Sequence, residues 1–322
     1  MLVESVPNVS EGRRLDVVDR LAAEIESVDG VWLLDRTSDA SHHRSVFTLA
    51  GEHGPVQDAL ERLVAAAVEL IDLNRHQGEH PRIGAVDVVP FVPLAGTSLA
   101  DCVELARGFG ARVADRFDIP VYLYAAAATR AERVRLADVR RGGYEGLRDE
   151  IGQQGRTPDF GPARTHPTFG ALAVGARPFL IAYNINLASD DVELAKRIAR
   201  RIRESGGGLP RVQGNGFWID ELGLAQVSMN VLDFTVTPLW RVWETVREVA
   251  AEDGVELAAS ELIGLAPTDA LLDVADHANV SPTLPVEERL AAAAAWLRLP
   301  DFSPMQALEL RLAAARAAGA GS

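Results

Sequence analysis

Short apolar runs alternate with helix-spaced apolar positions along the whole chain. Val31–Leu34 and Ser45–Ala50 read as strands. Pro55–Leu73 places Leu60, Leu63, Val64, Ala67 and Leu70 on one face of a helix. Ala85–Val92 (AVDVVPFV) is short and β-branched, which predicts a strand or a strand pair. Ser98–Phe117 reads as a second amphipathic helix with Ser98 as its N-cap. Pro120–Ala126 reads as a strand and Arg140–Ile151 as a helix. Residues 152–178 then lose all periodicity and hold Pro158, Gly161, Pro162, Pro167, Gly170, Gly175 and Pro178. That composition predicts a long connector, a kind of segment that usually carries function. Phe160 and Phe169 inside it argue that it is ordered.

The alternation restarts with a strand at Phe179–Leu187 and a helix at Asp190–Ser205, for which Ser189 is the expected cap. Arg211–Trp218, Leu224–Leu232 and Val255–Ile263 follow as strands, and Pro238–Asp253, Thr268–His277, Pro285–Leu297 and Leu308–Ala318 as helices. The strand pairs read as antiparallel, so an α+β fold (an α/β sandwich) fits better than a doubly wound sheet. The expected organisation is two subdomains, residues 1–178 and 179–322, joined near residues 176–181. Each is expected to be a mostly antiparallel sheet with helices on one face, with a ligand groove between the two.

Apolar residues make up 48 % of the 322 residues, enough for a sizeable core and too many for disorder. No run of 18 apolar residues suggests a membrane span, and MLVESVPNVSEGRR lacks the charged-then-apolar pattern of a signal peptide. With one cysteine, Cys102, no intramolecular disulfide can form. A reducing cytoplasm is the expected address, and no membrane is expected as a partner. The net charge of −14 argues against nucleic acid as a partner. The charge is uneven: residues 1–129 carry −9, residues 130–218 carry +5 and residues 219–310 carry −12. A basic middle in an acidic protein suggests an anion-receiving surface, expected to include Arg164 or Arg177.

Six of the seven histidines precede residue 167, and the densest polar cluster is NRHQGEHPR, residues 74–82. His76, Glu79 and His80 match an H-x-x-E-H zinc-peptidase pattern. That chemistry needs a continuous helix, which Gly78 inside the motif and Pro81 after it oppose. No metal is therefore expected. As a helix-to-strand loop the segment offers His80 as an acid–base group, with Glu79, Arg82 and Asp87 near enough in sequence to tune it. A second polar stretch, Asp35–Arg44, joins two strands. In it Asp39 is a candidate partner for a cation and Arg44 for a carboxylate.

Several strings in the chain are similar to the glutamate formimidoyltransferase family: VPNVSEGRR, Asp39…Arg44-Ser-Val-Phe-Thr, GEHPRIGAVDVVPFVPL, PDFGPARTHPTFGALAVGARPFLIAYNINL, AQVSMNVLDF and ELIGLAP. The resemblance runs from about residue 3 to residue 300 and covers the transferase part of the bifunctional formimidoyltransferase–cyclodeaminases. It implies transfer of the formimino group from N-formimino-L-glutamate to N5 of tetrahydrofolate, a folate co-substrate, small-molecule partners and a homodimer. It places the family's catalytic histidine on His80. It places the folate-contacting loop on Gly161, Pro162, Ala163, Arg164, Thr165, His166, Pro167, Thr168, Phe169 and Gly170. The sequence departs from the animal members at His43, where an Asn is expected before the Arg, and at Phe169, where a Trp is expected.

The residue types suit that chemistry. An imidazole at His80 accepts the proton lost by the attacking nitrogen and returns it to the leaving glutamate nitrogen. Asp39 is the candidate to steady an amidinium-like carbon, and Arg44 or Arg82 to clamp the donor's carboxylates. Phe160 and Phe169 either pack on the folate rings or pin the loop. The competing readings are folate-dependent formyl transfer, a zinc peptidase through His76, Glu79 and His80, and a non-catalytic folate carrier.

Overall fold

The computed structural model describes residues 1–78 and 81–319. The chain divides into two compact units, Met1–Pro178 and Phe179–Ser322.

The first unit runs β1 (Leu2–Ser5), β2 (Asn8–Val9), α1 (Leu15–Glu26), β3 (Val31–Asp39), β4 (Arg44–Glu52), α2 (His53–Leu70), β5 (Val86–Pro93), α3 (Leu99–Phe117), β6 (Val121–Ala125), α4 (Leu136–Val139), α5 (Gly143–Glu150) and β7 (Leu172–Ala176). Its sheet has the order β1-β4-β2-β5-β7-β6, with β3 added on β4. The pairings among β1 to β5 are antiparallel. Those of β7 with β5 and β6 are parallel. The expected α+β sandwich is present, with a mixed rather than purely antiparallel sheet here.

Leu60, Leu63, Val64 and Ala67 of α2 are fully buried, as the periodicity predicts, and join α1 and α3 over one face of the sheet. Alternate residues of β5, β6 and β7 point the other way. There Val88, Tyr122, Tyr124 and Ala173 meet Val139, Leu147 and Ile151 in a smaller second layer. Helical cover is therefore not confined to one face of this sheet. Ser98 caps α3 in a capping box: its Oγ accepts from Asp101 N at 3.1 Å, and its own N–H donates to the Asp101 carboxylate at 2.9 Å.

Three expectations are corrected. The helix expected at Arg140–Ile151 begins only at Gly143, as α5, because Gly142 and Gly143 both have positive φ; the short α4 lies wholly before it. The helix expected to reach Leu73 ends at Leu70, and Leu73–Arg75 forms a separate 3-10 turn. The connector 152–178 contains the strand β7. Its residues are Leu-Ala-Val-Gly-Ala, too small to show as an apolar run. Smallness is required at Gly175, where a Cβ would lie 2.5 Å from the Tyr124 ring.

The second unit runs β8 (Ile181–Leu187), α6 (Val192–Ile202), β9 (Val212–Ile219), β10 (Leu224–Val231), α7 (Leu239–Glu252), β11 (Leu257–Ile263), α8 (Thr268–His277), α9 (Val286–Trp296) and α10 (Leu308–Gly319). Its sheet is antiparallel throughout, in the order β11-β8-β10-β9. Tyr183 and Ile185 of β8 pack with Ile198 of α6 and Val242 and Val246 of α7 in one core. The cap of α6 is Asp191, which accepts from Leu194 N at 3.0 Å, and not Ser189. Ser189 stands one step further out and accepts from Asp191 N.

Candidate active site

The candidate residues of the first unit collect where the β3–β4 hairpin, the β2–α1 turn and the segment 71–85 meet. Strands β3 and β4 run further than expected, so Asp39 and Arg44 stand directly opposite each other at the hairpin end. Between them the Asp39 carboxylate holds the turn, accepting from His42 N at 2.7 Å and lying 2.8 Å from His42 Nδ1. Burial slightly opposes this carboxylate's charge, but the His42 contacts win and hold it below the usual carboxylate range. The Asp39 side chain thus contacts its own turn, and it is 48 % exposed.

Glu79 and His80 lie outside the described residues. The residues before and after them are held tightly. His76 leaves the 3-10 turn in an extended conformation rather than in a helix. Gly78 sits against the hairpin: a Cβ there would lie 2.4 Å from the His42 carbonyl oxygen.

Arg82 is buried and fully engaged. It donates from Nε to His76 Nδ1 at 2.9 Å, from Nη2 to His76 O at 3.1 Å, and through both terminal nitrogens to Glu145 at 3.1 and 2.8 Å. Arg82 thus ties His76 to Glu145 of α5. Because His76 Nδ1 accepts from Arg82, its proton is on Nε2, which donates to His43 O at 2.8 Å. Burial, reinforced by the charges of His43 and Arg82, holds His76 below the ordinary imidazole value. Both ring nitrogens of His76 are thus bonded within the protein, and residue 76 stands outside a helix.

Arg44 is the opposite case. Burial and the charge of Arg140 push its guanidinium below the usual arginine value, and Asp39 and Asp87 only partly compensate. Its Nε is buried and meets no hydrogen-bond acceptor among the described residues. Asp87, 1 % exposed, accepts from Ile83 N at 2.7 Å and from Arg140 Nε at 2.8 Å. Asp87 is thus bonded to Arg140, and acts on Arg44 through its charge. A desolvated cation whose Nε has no acceptor among the described residues suits an anionic ligand group.

The Gly161–Gly170 loop is sewn to the same region. His166 and Gly170 exchange two backbone hydrogen bonds, at 2.8 and 3.1 Å. Thr168 O accepts from Leu73 N and Phe169 O from Ala85 N, both at 2.8 Å. Pro167 O accepts from Asn74 Nδ2 at 2.8 Å, and Asn74 in turn accepts from Tyr144 OH. The loop is therefore fastened to sequence positions on both sides of His80. His166 Nδ1 accepts from Phe169 N at 3.1 Å, which puts the ring proton on Nε2. Burial holds this imidazole, too, below its ordinary value.

Phe169 is fully buried within the core, which favours the second of the two expected roles, pinning the loop. Phe160 packs, partly buried, against the same core. Arg164 pairs with Asp118 at 2.5 Å on the exposed surface, and Arg177 donates to Pro178 O.

Sequence reasoning missed Glu11, His43, Arg140 and Glu145. Glu11 is 1 % exposed and accepts from Arg13 N, Arg14 N, Arg14 Nε and His43 Nε2. Burial alone would raise its carboxyl, but these donors hold it at about 2. A cavity of about 500 Å³ is lined by Ser10, Glu11, Arg14, His43, His76 and Thr168, among others. His43 is 32 positions from Glu11, Arg140 is 53 from Asp87 and Glu145 is 63 from Arg82, so no local spacing reveals these pairs.

Models of the formiminotransferase domain match the chain in two parts, the N-terminal subdomain over residues 2–177 and a second formiminotransferase-domain model over residues 182–303. The chain is 45 % identical over 276 residues to glutamate formimidoyltransferase of Streptococcus pyogenes serotype M1, covering 86 % of this chain and 92 % of that one. It is 46 % identical over 278 residues to glutamate formimidoyltransferase of Thermoplasma acidophilum, covering 86 % and 91 %. It is 45 % identical over 280 residues to mouse formimidoyltransferase-cyclodeaminase, covering 85 % of this chain and 52 % of that one. The chain belongs to the formiminotransferase-domain family.

Proposed function

We propose that the protein is a one-carbon group transferase that moves the formimino group of N-formimino-L-glutamate to N5 of tetrahydrofolate, releasing L-glutamate and 5-formiminotetrahydrofolate. The observation that carries this reading is the 45 % identity to a glutamate formimidoyltransferase over 86 % of this chain and 92 % of that one.

Each group then has a task. His80 takes the proton that the attacking folate nitrogen loses and returns it to the departing glutamate nitrogen, help of the kind worth about 10²–10⁴-fold. Arg44, desolvated and without an acceptor on its Nε among the described residues, receives a carboxylate of the donor. Arg140, itself held on Asp87, keeps Arg44 in a positive field. The 161–170 loop receives folate. Its described geometry suits a ligand held by backbone and by His166, whose Nε2–H is the ring donor not used within the loop. Arg82 and Glu145 brace the segment and do not touch substrate.

A cytoplasmic address and a homodimer belong to the same reading. Among the described residues no helix is long and apolar enough to cross a membrane. Burial pushes the Cys102 thiol up to about 11, which suits an inert core thiol.

The test is to incubate the protein with tetrahydrofolate and formiminoglutamate and to follow the absorbance of the folate product. Product from N-formylglutamate with none from formiminoglutamate would overturn the donor. Folate binding without turnover of either donor would leave a carrier.

A further inference from the structure

The His43 side chain bridges the β2–α1 turn and the 76–78 segment. It sits at the tip of the β3–β4 hairpin in the left-handed region, φ 51°, a conformation that places its ring over the 76–78 segment. Its ring stacks on His76 with centroids 4.2 Å apart and planes 12° apart. Its Nε2 lies 3.0 Å from Glu11 Oε1, and its Nδ1 lies 3.0 Å from Gln77 O. A carboxylate and a carbonyl are both acceptors, so both contacts are hydrogen bonds only when both ring nitrogens carry protons. The side chain is 12 % exposed and Glu11 is 1 % exposed, so water offers either contact little substitute.

We propose that His43, as an imidazolium held by Glu11, is the positioning residue that clamps the 76–78 backbone and thereby sets the loop that carries His80. The inference rests on the reading of His80 as the acid–base group. The clamp has four fastenings: the Gln77 carbonyl, the stack on His76, the His76 Nε2 bond back to His43 O, and the close seat of Gly78 on His42 O. Among the described residues, the charged groups facing it are Glu11 and Arg14 from the β2–α1 turn. His76, with Arg82 behind it, faces it from the 73–85 segment, and Glu145 of α5 stands beyond Arg82. Asp39 and His42, next to it in the hairpin, pair with each other.

Two measurements test this. In the folded wild-type protein at the pH of maximal turnover, imidazole nitrogen chemical shifts should show His43 protonated on both nitrogens and His76 on Nε2 alone. His43→Phe keeps a ring for the stack and removes both donors. Its kcat should fall roughly tenfold or more, as for a displaced catalytic group. Its KM for tetrahydrofolate should stay within about twofold. His43→Asn, which restores one donor, should recover part of kcat. A singly protonated His43 in the wild-type protein, or His43→Phe with wild-type kcat, overturns the proposal. If His43→Phe does not fold, the nitrogen shifts of the wild-type protein decide. The base is tested separately by His80→Ala: if that variant keeps its turnover while His43 behaves as described, the clamp stands and the assignment of His80 falls alone.

Discussion

Arg82 donates from Nε to Nδ1 of His76 at 2.9 Å, a bond that ties residue 82 back to residue 76. It pins the His76 tautomer, and the same guanidinium holds Glu145 of α5 through two further bonds. A planar fork is needed to serve three acceptors at once. Arg82→Lys should therefore lower kcat roughly tenfold, through displacement of the loop. The KM for formiminoglutamate should change little. Steady-state kinetics with each substrate varied separate the cases. A rise in the donor's KM with kcat preserved would return Arg82 to the substrate.

Arg44 should behave in the converse way. Its guanidinium is the desolvated cation left with a free Nε among the described residues. Arg44→Gln should raise the KM for the glutamate donor by roughly 10- to 100-fold, the value of a charged hydrogen bond. Dissociation of tetrahydrofolate, read by fluorescence titration, should be unaffected.

The sequence made the helices and most strands legible, because Leu60, Leu63, Val64 and Ala67 repeat at helical spacing and SVFTLA is a plain strand. The second layer of the first sheet was not, since β7 is built of small residues that pack by closeness rather than by bulk. At the site, Arg44 and the 161–170 loop were legible as charge and as Gly/Pro composition. The roles of Arg82, Asp39 and Phe169 were not. Each depends on a partner chosen by the fold: Glu145 at 63 residues' separation, the turn N–H of His42, and the core beneath the loop. A side chain's chemistry can be read locally, but whether it is already spent on a neighbour cannot.

The fastening of the folate loop can be cut at one side chain. Asn74 donates to Pro167 O and accepts from Tyr144 OH. Asn74→Ala should raise the KM for tetrahydrofolate by about fivefold, the worth of roughly one net hydrogen bond. The KM for the glutamate donor should stay near its wild-type value.

Glu11 predicts the acid limb of stability. Its carboxyl sits at about 2 in the fold against 4.5 for the free side chain. A depressed carboxyl stabilises the fold above pH 4.5 and loses that contribution as pH falls toward 2. The shift corresponds to about 3 kcal/mol. Denaturant unfolding should show Glu11→Gln well below wild type at about pH 7 and much closer to it at about pH 3. A gap that does not narrow on acidification would contradict the burial and hydrogen bonding assigned to this carboxylate.

The central claim is formimino transfer through His80. Its most direct test uses formiminoglutamate labelled with carbon-13 in the formimino carbon, mixed with tetrahydrofolate and followed by carbon NMR. With wild-type protein the labelled carbon should move from glutamate to N5 of the folate. With His80→Ala the transfer should slow by about 10²–10⁴-fold while folate still binds. Label that stays on glutamate in the presence of folded wild-type protein, or that moves at the wild-type rate with His80→Ala, would contradict it.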